Sequence, residues 1–118
     1  MPRGRILVVS FDKTVSEGRE FALRELGHDV ITTTQIEVAL EYLENVRFDL
    51  VIIGHRFEKT DKEALIAEVR HRWHTPVLLV CGASADEDLE VDARVFAIQG
   101  MDGLVDEATK ILQGSLAA

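Results

Sequence analysis

A serine, a histidine and a cysteine each stand at the end of an apolar run of the kind that forms a buried strand. Ser10 follows Ile6 to Val9, His55 follows Leu50 to Ile53 and Gly54, and Cys81 follows Val77 to Val80. A serine hydroxyl attacks when a base takes its proton, a histidine can be that base, a phosphate carrier or a metal ligand, and a thiolate attacks or is oxidised. None of the three has the company this chemistry needs. Ser10 and His55 fall on neighbouring strand ends, but no nucleophile elbow accompanies them. No lysine or arginine adjoins Cys81 to lower its pKa, and a lone cysteine commonly behaves as a small buried hydrophobe. His28, His71 and His74 belong to the opposite, amino-terminal edge of the strands, so they form no zinc-ligand spacing with His55. Neither GxGxxG nor a P-loop is present. The residues read as no catalytic set, no metal site and no cofactor site.

Arg70, His71, Arg72, Trp73 and His74 are the basic, aromatic-bearing cluster that could touch nucleic acid. Cations in the last turn of a helix are favourable in themselves, and Trp73 has helical spacing from Leu65, Ile66 and Val69, which predicts packing rather than recognition. The whole chain carries a formal charge of -8. That charge opposes binding to nucleic acid or to an anionic membrane and suits a basic protein surface. No apolar stretch approaches the length of a membrane span, and Met1 to Arg5 run into an apolar strand without a signal-peptide core, so a cytoplasmic location is expected. The single cysteine, Cys81, can form no internal disulfide and agrees with a reducing compartment.

Five short apolar runs position these residues: Ile6 to Val9, Val30 and Ile31 leading into Thr32 and Thr33, Leu50 to Ile53, Val77 to Val80, and Val95 to Ile98. Their continuous hydrophobicity predicts strands buried on both faces. Helical patterns alternate with them over Lys13 to Leu26, ending at Gly27; Ile36 to Val46; Asp61 to Trp73; and Leu104 to Gln113, ending at Gly114. A shortened helix fits between the fourth and fifth strands, with Ser84 and Glu87 at capping-box spacing to start it near Ala85. Asp86, Glu87, Asp88, Glu90 and Asp92 crowd that helix, as dipole-complementing surface acids or as an acidic docking ridge. At 118 residues, with no linker or repeat, the chain reads as one domain over 1–118: an α/β, doubly wound, five-stranded parallel sheet with helices on both faces.

In such a sheet ligands bind beyond the carboxyl ends of the strands. Over almost its whole length the chain resembles the receiver domain of two-component response regulators. The resemblance is carried by ILVV (Ile6 to Val9), RELG (Arg24 to Gly27), DLVII (Asp49 to Ile53), TPVLLV (Thr75 to Val80) and VFAIQG (Val95 to Gly100), with spacing that fits from Ile6 to Val80 without a gap. It implies a flavodoxin-like fold with strand order 2-1-3-4-5. It also implies that the family's reactive set is missing. The acidic pair after the first strand falls on Ser10 and Phe11, the phospho-accepting aspartate on Gly54, the Thr or Ser ending the fourth strand on Cys81, and the Lys-Pro pair on Gln99 and Gly100. Glu58 takes the Pro position of the Met-Pro turn, and Asp61-Lys62 stands for Asp-Gly.

Phosphoryl transfer to a carboxylate needs a nucleophile, a divalent ion on oxygen ligands and a cation on the developing charge. These replacements supply none of them, and Asp12 alone remains nearby. The reading that follows is a pseudo-receiver, non-enzymatic and independent of phosphorylation, acting as an interaction module in bacterial signalling. Its partner would be a sensor kinase, another regulator or a second copy of itself. Phe96 falls on the family's switch aromatic and is the expected partner-facing residue. The alternatives are a phospho- or redox-active domain using His55 or Cys81, and a structural domain that self-associates as a homodimer.

Overall fold

A computed structural model of the protein describes residues 4–72, 74–82 and 89–117. Five parallel strands, β1 (Arg5–Val9), β2 (Asp29–Thr33), β3 (Leu50–Ile53), β4 (Val77–Cys81) and β5 (Ala93–Phe96), form one sheet in the order β2-β1-β3-β4-β5. The helices are α1 (Lys13–Glu25), α2 (Ile36–Asn45), α3 (Lys59–Arg72) and α4 (Gly100–Ala117), the last preceded by a 3-10 turn at Ala97–Gln99. The predicted fold and strand order are both observed.

The apolar runs are continuous because alternate side chains serve two cores. Ile6, Val8, Leu50, Ile52, Leu78 and Val80 point to the face covered by Leu23 of α1 and Leu104, Ala108 and Leu112 of α4. Leu7, Val9, Val51, Ile53, Val77 and Leu79 point to the other, against Ala39 and Leu43 of α2 and Leu65, Ile66 and Val69 of α3. The period of two in a strand sends successive residues to opposite faces, so a strand between two helical layers must be apolar throughout. Register places Val9 beside both Thr33 and Ile53, which brings the ends of β1, β2 and β3 to one level.

Helix α1 stops as its sequence predicts. Gly27 takes φ 91°, its N–H donates to the Arg24 carbonyl, and the His28 N–H donates to the Leu23 carbonyl. This is the Schellman arrangement, which needs a left-handed residue past the helix end.

Other boundaries differ from expectation. Strand β5 ends at Phe96 rather than Ile98, because the Gln99 side chain turns back and its Oε1 accepts the Phe96 N–H at 2.8 Å. Helix α4 begins at Gly100, before Leu104, and runs through Gly114, which has no positive φ and so is no helix stop. Helix α3 begins at Lys59, where the Glu58 carbonyl accepts from the Asp61 and Lys62 N–H groups.

The shortened helix near Ala85, with Asp86, Glu87 and Asp88, lies outside the described residues, as does Trp73. Glu90 and Asp92 are described and are not helical. Asp92 instead fastens the sheet: its Oδ2 accepts the Val77 N–H at 2.7 Å and pairs with Arg70 Nη2 at 3.0 Å.

Candidate functional site

The carboxyl ends of β1 and β3 continue as a hydrogen-bonded pair. The Ser10 N–H donates to Thr33 and the Gly54 N–H to Val9, at 3.1 and 2.8 Å, so Ser10 and Gly54 lie side by side at the sheet edge. A pocket of about 310 Å³ opens above them. Ser10, Phe11, Asp12, Gly54, His55 and Phe96 line it together with residues of α1 and α4.

Ser10 is buried, whereas Phe11 is exposed and sets its ring edge-on to Phe57, with centroids 6.1 Å apart. One oxygen of the Asp12 carboxylate is already committed. Its Oδ1 accepts the N–H groups of Thr14 and Val15 at 2.7 and 3.2 Å, capping α1 at the end where the helix dipole favours a negative charge.

Arg19 is the pocket residue that reading the sequence misses. It comes from α1, is only 8 % exposed, and its Nη1 donates to Ser10 Oγ at 3.0 Å. Its guanidinium lies over the glycine, since a β-carbon on Gly54 would stand 3.4 Å from Nη1. The signal was present in the chain: Ser16, Arg19 and Leu23 are the buried stripe of α1, at helical spacing. Burial pulls the guanidinium below its ordinary pKa, and an arginine still keeps its proton. The pocket therefore contains a buried cation.

His55 lies in the field of nearby cations. Burial holds its imidazole below the ordinary range, and the charges of Arg19, Arg56 and Lys62 push it the same way. Lys62 is itself buried and donates from Nζ to the His55 carbonyl at 3.0 Å, which fixes the turn after β3. The ring lies against Gly82, where a β-carbon would come within 3.1 Å of Cδ2.

Two of the sequence-selected residues stand elsewhere. Cys81 is buried in the core beneath α2 and α3 and does not line the pocket. Gln99 also lies off the pocket lining, its amide used to close the turn at Phe96 and its β-carbon set against Gly103. Phe96 lines the pocket and is 46 % exposed. No group of three or more His, Cys, Asp or Glu residues that could hold a metal occurs among the described residues. No described helix is long and apolar enough to cross a membrane. Of the basic cluster, Arg70 and Arg72 are paired, with Asp92 and Glu68.

No family model matches the sequence. Solved structures do. The receiver domain of a Francisella response regulator superposes with a TM-score of 0.82 at 18 % identity, covering 95 % of this chain and 98 % of that one. A CheY-like receiver domain from Methanospirillum hungatei gives 0.83 at 18 % identity and covers 96 % of each chain. The response regulator TrrA of Thermotoga maritima, solved in complex with Mg(2+)-BeF, gives 0.78 at 25 % identity, covering 91 % of this chain and 97 % of that one. The fold is that of response-regulator receiver domains. On the receiver fold the carboxyl edge of the sheet is where a pocket belongs, and here that edge holds a guanidinium with no carboxylate paired to it among the described residues.

Proposed function

We propose that this chain is a phosphorylation-independent receiver-like domain, a non-enzymatic protein-interaction module of bacterial signal transduction. The observation that carries the reading is the Arg19 guanidinium above Gly54. If Gly54 stands at the acceptor position, as the sequence resemblance implies, the site lacks its nucleophile. Arg19 also opposes the divalent ion that phosphoryl transfer would require. At about 4 Å and an effective dielectric of about 20, two unit charges interact by about 4 kcal/mol, so a dication beside a guanidinium is disfavoured by roughly twice that. Asp12, committed to the helix cap, offers little compensation.

The rival chemistry finds less support. Cys81 is 2 % exposed, so its thiol is poorly placed to meet an oxidant or a substrate. His55 sits among cations. A surface role is supported by Phe96 and by Ile98, which is 95 % exposed immediately after β5. In this reading the domain acts in the cytoplasm, Phe96 meets the partner, and the partner is a kinase, a regulator or a second copy of the chain.

The test is incubation with acetyl phosphate and magnesium followed by intact-mass measurement and sedimentation. We expect no phosphoryl adduct and no change in oligomeric state. A stoichiometric adduct would overturn the reading.

A further inference from the structure

The strongest unexplained feature of the molecule is the buried charge of Arg19. A guanidinium carries five N–H donors, and taking it out of water is costly unless an anion and further hydrogen bonds compensate. Here the compensation is one hydroxyl. Among the described residues the guanidinium's hydrogen bond is to Ser10 Oγ, with no carboxylate partner. Asp12, the acid in the pocket lining, uses its Oδ1 on the N-terminus of α1.

The walls around that cation are largely apolar: Phe11, Val15, Phe96, Met101 and Leu104. Phe11, Val15 and Phe96 are all more than 40 % exposed, an unusual state for three large apolar groups bordering one opening. A volume of about 310 Å³ is at the lower end of small-molecule sites, the size of a single-ring compound.

We propose that this pocket binds a small organic acid. Its carboxylate would pair with the Arg19 guanidinium, and its apolar or aromatic body would lie against Phe11, Val15 and Phe96. A carboxylate fits better than a metal ion because the buried charge is positive. It fits better than inorganic phosphate because Asp12, His55 and Arg56 share the lining with a larger set of apolar side chains that phosphate would leave uncovered, and because the planar guanidinium matches a carboxylate through two parallel hydrogen bonds. A bound acid would bridge α1 to the segment after β5, and so couple pocket occupancy to the surface that carries Phe96 and Ile98. The inference goes beyond the interaction-module reading and does not depend on it.

The experiment is a titration of the full chain with benzoate and phenylacetate, followed in 1H-15N spectra at the Arg19 Nε–Hε signal and at the Ser10, Gly54 and His55 amides. Benzyl alcohol and inorganic phosphate are the comparison probes. We expect saturable shifts with the two acids, and weaker or unsaturable ones with the neutral alcohol and with phosphate. Arg19→Met should weaken acid binding by about tenfold or more, as loss of a charge-assisted pair requires. Arg19→Lys, which keeps the charge and loses the fork, should fall between. Phe96→Ser, well outside the buried core, should weaken binding severalfold without touching the cation. Failure of both acids to saturate, or equal affinity in Arg19→Met, would overturn the proposal. A saturable response to phosphate alone would also overturn it. None of these outcomes reads phosphorylation, so the two proposals fail separately.

Discussion

Nη1 of Arg19 donates to Oγ of Ser10 at 3.0 Å, and the pair lies beneath a pocket with no carboxylate bonded to the guanidinium among the described residues. A cation held this way is retained at the expense of stability. Arg19→Met keeps the packed stem and removes the charge, so it should stabilise the protein by about 1 kcal/mol or more. Ser10→Ala should destabilise it by roughly 1–3 kcal/mol by stripping the guanidinium of its acceptor. In the double variant the Ser10 effect should largely vanish. Urea unfolding of the four proteins measures this, and additive effects would show that the two residues do not act as a unit.

Placing a carboxylate at position 54 should not confer phosphorylation. A β-carbon at position 54 would lie 3.3 Å from the Val9 carbonyl oxygen and 3.4 Å from Arg19 Nη1, so an aspartate side chain would meet the guanidinium at once. The expected product of Gly54→Asp is an ion pair, not a nucleophile beside a metal. Acetyl phosphate with magnesium should therefore leave its mass unchanged. Millimolar magnesium should also leave the melting temperature of the unsubstituted chain where it was, because a ligand stabilises only the state it binds. A clear rise with magnesium would show that an ion site exists despite Arg19.

The sheet was legible because buried parallel strands need apolar residues on both faces, and the runs around Ile6, Leu50 and Val77 contain little else. The boundaries near β5 were less legible, since they depend on the Gln99 amide reaching the Phe96 N–H, a contact no periodicity announces. The site was hidden for a related reason. Arg19 and Lys62 belong to charged residue types that pattern reading assigns to the surface, yet both are buried, one on a serine hydroxyl and the other donating to the His55 carbonyl. Asp12 was legible only as the acid that remains near the first strand's end, and in the fold it is a helix cap.

Acid should loosen the fold before the carboxylates titrate. Burial holds His28 below the ordinary imidazole value of 6.5, and its Nδ1 accepts the Gly4 N–H at 3.1 Å, which only the unprotonated nitrogen can do. His55 is held below the same value by burial, then by Arg19, Arg56 and Lys62. In both cases the unfolded chain takes up its proton at a higher pH than the folded chain. Their effect on stability is absent well above pH 6.5, and stability falls as the pH drops through and below that value. Melting temperatures should be flat between about pH 8 and 7 and decline towards pH 5.5. The double variant His28→Gln, His55→Gln should flatten that decline, and an undiminished slope would assign it to other groups.

Two glycines should respond to alanine in opposite directions. Gly27 sits at φ 91° in open space, so Gly27→Ala meets no clash and only backbone strain, about 1–2 kcal/mol of destabilisation. Gly114 lies within α4, exposed, without a positive φ and with nothing within 4 Å of an added β-carbon. Gly114→Ala should therefore stabilise by up to about 1 kcal/mol through helix propensity. Thermal melts of the two variants decide it, and a loss in Gly114→Ala would mean that α4 does end there.

Asp92 distinguishes a structural acid from a docking one. Its Oδ2 accepts the Val77 N–H at 2.7 Å and Arg70 Nη2 at 3.0 Å, while its own N–H donates to the Val77 carbonyl at 3.0 Å. Side chain and main chain together clamp the first residue of β4. The ion pair with Arg70 is well exposed on both sides and should contribute little. The charge-assisted bond to the backbone should contribute more, because without it the partly buried Val77 N–H loses its acceptor. Asp92→Ala should thus cost roughly 1–2 kcal/mol and Arg70→Ala less than about 0.5 kcal/mol. Salt separates the two contributions further: at about 1 M the small Arg70 effect should disappear, and most of the Asp92 effect should remain. Equal and salt-sensitive losses in the two variants would instead make the ion pair the main contributor.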